Sequence, residues 1–193
     1  MRVPSSQVFS HALGVFATDG YGDQAVLSSS LHQLWAITYG SGMRNDPRYT
    51  PSDVFETFPR PTITDEVITV GRMLDKERRD IMLRRQLGLT RLYNLVNDPA
   101  IGKATDTDVA RIRQIHVELD HAVLGAYGWG DIDLGHGFHE YRKMERWTIC
   151  PAARVEVLDR LLEENHRRGE AMKVSERPVR DLGPDADAAT LFD

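Results

Sequence analysis

The order of apolar and polar positions divides the chain into a mixed amino-terminal part and a helical remainder. Residues 7–18, QVFSHALGVFAT, alternate and are rich in β-branched and aromatic side chains, which predicts a strand closed by the Asp19-Gly20 turn. Over 23–39 the apolar positions Val26, Leu27, Leu31, Leu34, Trp35 and Ile37 recur near helical spacing, and Gly40 with Gly42 supplies a stop. Residues 44–61 follow as a proline-rich polar crossover. Pro47, Pro51, Pro59 and Pro61 remove backbone donors and fix φ, so this run is expected to be a rigid exposed connector, neither an interior helix nor a central strand. Strand, helix and crossover make a partial α/β unit, the end of a larger domain whose other strands would lie upstream.

From Thr64 onward the pattern is helical. Thr64 is a capping residue for a helix over 64–87 with Val67, Val70, Leu74, Ile81 and Met82 inward and the arginines elsewhere. Residues 90–97 form a short helix. Thr105 and Asp108 resemble a capping box before a helix over 107–127, whose Val109, Ile112, Ile115, Leu119, Ala122, Val123 and Ala126 give the clearest period in the chain. Gly128 and Gly130 end it. Residues 134–149 are a glycine- and histidine-containing excursion with a short strand at 146–149. Pro151 opens a last helix to about Met172 with Val155, Leu158, Leu161 and Leu162 inward, and from Lys173 the composition favours disorder. The fold class expected is therefore α+β and mainly helical: an amino-terminal strand-helix-crossover fragment over 1–61, a bundle-like helical domain over 62–172, and a disordered tail over 173–193.

Charge and composition narrow the classes of function. The chain has 193 residues and a formal net charge of -5, which argues against an autonomous nucleic-acid binder because phosphate contacts supply most non-specific affinity. Basic side chains nevertheless concentrate over 72–91, where Arg72, Lys76, Arg78, Arg79, Arg84, Arg85 and Arg91 outnumber Asp75, Glu77 and Asp80. The single cysteine, Cys150, excludes an internal disulfide, and neither a long apolar run nor a leader-like amino terminus is present, so a cytoplasmic protein without a membrane partner is expected.

Several apparent sites reduce to structural roles. His136, His139 and Cys150 fall short of the four ligands of a structural zinc site. His116 and His121 do not share a helix face and read as surface or interhelical polar groups. Trp35, Trp129 and Trp147 are candidates for stacking on bases, but two of them adjoin apolar runs and read as core residues, and Cys150 lacks a neighbouring base.

Four ordered segments carry a family resemblance. RYTPSDVFETFPRP (48–61), preceded by SSSLHQLWAITYGSGMRNDP, then LGLTRLYNLVNDP (87–99), IRQIHVELDHAVLGAYGW (112–129) and RLLEENHRR (160–168), resemble the carboxyl-terminal region of MmeI-like type II restriction-modification enzymes and their adenine-methyltransferase relatives. The family order is endonuclease, helical connector, methyltransferase, target-recognition domain and helical carboxyl-terminal region. This chain resembles the end of that series over residues 1–172. The catalytic signatures are missing. There is no Asn-Pro-Pro-Tyr-like tetrapeptide to hold a flipped adenine, no glycine-rich cofactor turn beyond Gly20-Tyr21-Gly22, and no acidic pair followed by Glu-x-Lys.

The resemblance implies recognition without chemistry: double-stranded DNA as partner, a separate methyltransferase or endonuclease subunit as a second one, and S-adenosylmethionine only on that catalytic partner. On this reading Arg44 and Arg48 are candidates for guanine edges or phosphates and Asn45 for adenine, while Tyr49, Thr50 and Ser52 are candidates for phosphate oxygens. Arg78 and Arg79 would follow the DNA backbone, or belong to a solvated helix face. The proline-rich segment has an alternative role as a structural crossover. A truncated remnant and a helical interaction subunit without DNA contact are the competing functions.

Overall fold

Two long antiparallel helices form the centre of the protein because each carries a mainly apolar buried face, interrupted by Arg78 in one and by Asp120 in the other, and the ion pairs between them fix their register. The computed structural model describes residues 15–18, 20–40, 49–141 and 143–175. In it α4 (Asp65–Arg85) lies against α6 (Thr107–Ala126). Leu74 and Ile81 of α4 and Ile112, Ile115 and Leu119 of α6 are buried, each such side chain contributing about 1.5–3 kcal/mol when removed from water. Arg111 grips both carboxylate oxygens of Glu77 at 2.8 Å. Arg85 reaches Asp106 at 2.8 Å, and Arg84 reaches Asp108 at 2.6 Å.

The helix ends follow from local chemistry. Thr64 caps α4 through the Val67 amide, as its sequence position predicts. At the other end Gln86 turns left-handed at φ 50, and the Leu87 amide donates to the Met82 carbonyl, so the chain reverses into α5 (Leu89–Val96). Asp106, rather than Thr105 with Asp108, caps α6; its carboxyl accepts from the Asp108 and Val109 amides. Thr105 instead closes the preceding turn through Gly102.

The amino-terminal part differs from the expected single helix over 23–39. It is broken at Ser29 into α1 (Tyr21–Ser28) and α2 (Ser30–Tyr39), because the Ser29 side chain accepts from the His32 amide and starts a new helix. Residues 15–18 carry no regular structure, and the rest of the segment expected as a strand lies outside the described residues. Within the proline-rich crossover, Pro51 opens a one-turn helix, α3 (Pro51–Val54), in the one position where a missing amide hydrogen is harmless.

Residues on both sides of position 61 share one core. Ala25, Val26, Leu31, Trp35, Val54 and Phe58 join Val67, Leu74, Leu119, Leu134 and Leu161 in a single cluster. The crossover is also tied to distant helices by its carbonyls: Tyr127 donates to Pro59 (2.9 Å), Asn165 to Thr57 (2.6 Å) and Arg168 to Arg60 (2.7 Å). The last two belong to α7 (Pro151–Ser175), which runs slightly beyond the expected end at Met172; residues 176–193, most of the expected disordered tail, lie outside the described residues.

The expected strand over 146–149 is one half of an antiparallel hairpin, β1 (Gly137–Tyr141) and β2 (Met144–Thr148), with Phe138 opposite Trp147. The described residues are thus mainly helical with one small sheet.

Close approach of α1 to α4 requires glycine at 71, where a Cβ would lie 2.2 Å from the Tyr21 carbonyl oxygen and 3.0 Å from Ala25 Cβ. Gly71→Ala is therefore expected to cost about 1–3 kcal/mol in denaturant unfolding. Gly125→Ala, in a helix and facing open space, is expected to add about 0.5–1 kcal/mol of stability. Equal effects of the two would refute the packing assigned to α1 and α4.

Candidate functional site

Where the start of α2, the inward faces of α4, α5 and α6, and the hairpin meet, they leave a cleft of about 1260 Å³. Its polar side chains come from helical positions that continue apolar stripes. On α6, His116 and Asp120 stand one turn apart on the cleft side, among Ile112, Ile115 and Leu119. On α4, Arg78 falls one turn beyond Leu74 and one turn before Ile81, so it shares their buried side.

Asp120 is fully buried and joins three elements. One carboxyl oxygen accepts from the Ser30 amide at 2.7 Å, at the positive amino-terminal end of α2. The other lies 2.8 Å from His136 Nε2, just before β1, and His136 is itself nearly buried. A second histidine pair lies beside it. Tyr93 Oη is 2.7 Å from His116 Nε2 and accepts a long bond, 3.5 Å, from Arg78. Burial holds His116 below the ordinary imidazole range; Asp120 pulls it up, and Arg78 and His136 add to the lowering.

A third histidine occupies the opposite wall. His32 is 4% exposed, stands edge-on to Phe58 with ring centres 4.9 Å apart, and lies 3.2 Å from Tyr49 Oη. Burial brings its pKa from 6.5 down to about 4, opposed by a bond to the Leu27 backbone. Tyr49 is pushed up to about 12 by burial, with Arg60 pulling the other way.

The hairpin wall is fixed by two polar residues. Asn97 donates to the Tyr93 carbonyl and accepts from the Trp147 amide, which clamps β2 to the end of α5. Arg113 stands over both the Phe138 and Trp147 rings, 4.8 and 5.2 Å from their centres, and the two rings meet edge to face at 5.3 Å. Its guanidinium donates to the carbonyls of Leu95, Val96, Asp98 and Ile101, satisfying the carboxyl-terminal end of α5.

Against this geometry the sequence candidates separate. Arg44, Asn45 and Arg48 lie outside the described residues. Tyr49 is turned inward to His32 and lines the cleft instead of facing outward. Thr50 precedes α3, and its carbonyl accepts from the Asp53 and Val54 amides. Ser52 is exposed and donates to Asp53 at 3.1 Å. Arg79 is exposed, but Arg78 is only 7% exposed, so the two do not form one outer basic pair.

His116, Asp120 and His136 are the cleft residues that pairing of histidines along the sequence misses. The available signal is the apolar period of α6, which puts His116 and Asp120, not His116 and His121, on one face. Cys150 has a structural place: its sulfur accepts from the Ala153 amide at the start of α7. Among the described residues no group of three or more His, Cys, Asp or Glu side chains is arranged to hold a metal ion, and no helix is long and apolar enough to cross a membrane.

Comparison with protein-family models, with curated proteins and with solved structures finds no match to this chain.

The buried His32 ring makes stability depend on pH in a defined direction. Because its folded pKa is about 4 against 6.5 when free, the unfolded chain binds the proton more readily, and stability is lost as pH falls from 6.5 toward 4. His32 alone is expected to make the protein about 2 kcal/mol less stable at pH 5 than at pH 7. Urea unfolding of the parent and of His32→Gln checks this: the variant should show a shallower pH dependence over that window, and an identical slope would contradict the burial assigned to His32.

Proposed function

We propose that the chain is the DNA-recognition and carboxyl-terminal module of a type II restriction-modification adenine methyltransferase, acting by positioning and not by chemistry. The observation that carries DNA contact is a basic stripe on α4. Arg72, Lys76 and Arg79 recur at one-turn spacing on its exposed side, and none makes an ion pair among the described residues. The other α4 arginines are committed elsewhere: Arg78 inward, Arg84 to Asp108 and Arg85 to Asp106. Arg72, which also stands over the Tyr21 ring at 5.3 Å, Lys76 and Arg79 offer positive charge at one-turn spacing to a phosphate backbone, with the exposed Asp80 beside them.

The four segments that carry the family resemblance also support a single module, since they bond to one another. Tyr127, Asn165 and Arg168 hold the carbonyls of the 57–60 crossover, and Arg113 holds those closing α5. Thr57, Pro59 and Arg60 thus serve the alternative crossover role, leaving base recognition to Arg44, Asn45 and Arg48. The net charge of -5 favours DNA contact alongside a separate methyltransferase subunit, which would bind S-adenosylmethionine, over tight autonomous binding.

Fluorescence anisotropy of the full chain with labelled duplexes, as a salt series from low ionic strength, tests the stripe. Replacing Lys76 or Arg79 by alanine is expected to weaken all sequences alike and to reduce the salt slope by about 1 per lost phosphate contact. With the catalytic partner present, Arg44→Ala, Asn45→Ala or Arg48→Ala should cost about 1–3 kcal/mol of discrimination at one base pair. No binding at low salt, or unchanged affinity and slope after replacing Arg72, Lys76 and Arg79 together, would overturn the reading. In a separate assay the chain alone should transfer no labelled methyl group from S-adenosylmethionine to DNA.

A further inference from the structure

We propose that the cleft between α2, α4, α5, α6 and the hairpin binds a small organic oxyanion, a carboxylate or a phosphate, with the Arg78 guanidinium as its principal charge partner. Two arginines are equally buried, at 7% exposure each, but differ in their partners. Arg113 has its donors spent on four backbone carbonyls. Arg78 has one long bond to Tyr93, no carboxylate partner among the described residues, and a buried NH2 group without any acceptor. A guanidinium removed from water and left unpaired is unfavourable, and a bound anion would offset that.

The rest of the wall suits an anion attached to an organic body. Arg78, Lys143 and Arg146 line the cleft against a single acidic residue, Asp120. Asp120 is already engaged by the Ser30 amide and His136, so it does not compete for Arg78. The Tyr93 hydroxyl, placed between Arg78 and His116, is a polar group beside the same charge. Phe16, Tyr49 and Trp147 supply aromatic surface for the remainder of the ligand, and a volume of about 1260 Å³ leaves room for one. DNA contact is not required: the α4 stripe lies on the solvent side of the helix and Arg78 on its inner side.

The test uses the full chain with four probes: inorganic phosphate, benzoate, adenosine monophosphate and adenosine. Calorimetric titration and thermal unfolding are read together. Saturable binding of benzoate or adenosine monophosphate, with a rising unfolding midpoint, is expected; the stronger of the two identifies carboxylate or phosphate. Adenosine, which has the ring without the anion, should bind far more weakly. Arg78→Met should fold with an unliganded midpoint at or above that of the parent, since it removes an unpaired buried charge, and should lose affinity by roughly ten- to a hundredfold. Arg78→Lys should retain weakened binding. The proposal is overturned by absence of saturable binding of all three anions at millimolar concentration, by adenosine binding as well as its monophosphate, or by unaltered anion affinity in Arg78→Lys together with collapse of the fold in Arg78→Met. Loss of DNA binding in the α4 stripe variants with anion binding intact would leave this proposal standing and remove the other.

Discussion

A carboxyl group with no contact to water, Asp120, holds the polar centre of this protein together. Its side chain leaves α6 on the same face as buried isoleucines and leucines, where an uncompensated acid would be strongly unfavourable. Two donors make the position tenable. The Ser30 amide reaches it from the first turn of α2, and His136 reaches it from the entry to β1. The same bonds place α2, α6 and the hairpin around one point. Ser29 has a part in this arrangement, because breaking the chain into α1 and α2 turns a free helix start toward Asp120.

From that centre the cleft acquires its asymmetry. One wall is closed by Arg113 and Asn97, which use backbone carbonyls and amides to lock α5 to the hairpin. The other is closed by His32, Tyr49 and Phe58, a group of rings with one internal polar contact. Arg78 between them has no such closure. The outer side of the same helix is different in character: Arg72, Lys76 and Arg79 make no ion pair with a carboxylate among the described residues, whereas Arg84 and Arg85 near its end are paired with Asp108 and Asp106. A module that positions nucleic acid outside and accepts a small anion inside is consistent with that division.

Legibility in the sequence followed the strength of each local signal. The helix α6 is evident because its apolar residues repeat every turn over many turns, and Thr64 and Pro151 stand where helix starts favour them; in α7 Leu161 is inward as expected, but Val155 is exposed and Ala153 and Val157 are buried in its place. The break at Ser29 is not evident, since a serine within an apolar period is compatible with a continuous helix; the local Ser29 cap on the His32 amide and the distant contact between the Ser30 amide and Asp120 together favour the break. Thr105 and Asp106 compete for one cap, and the carboxyl group wins by reaching two amides. The hairpin was half visible because GFHEY has no alternating apolar pattern; its pairing with β2 comes from Phe138 against Trp147 and from Lys143 accepting a left-handed turn. Arg78 departs from the solvated helix face expected of it, being only 7% exposed. Adjacent arginines look equivalent in sequence, yet Leu74 and Ile81 put Arg78 on the inner side and leave Arg79 outside.

The central physical claim is that Asp120 and His136 act as one joint, and a double-mutant cycle measures that directly. Denaturant unfolding of the parent, Asp120→Asn, His136→Gln and the double variant gives the coupling energy. The account predicts a coupling of about 1 kcal/mol or more, with the double variant less destabilised than the two single changes added together. Additivity of the two changes to within about 0.3 kcal/mol would show that the carboxyl group and the imidazole are neighbours without a shared role, and the cleft would need another origin.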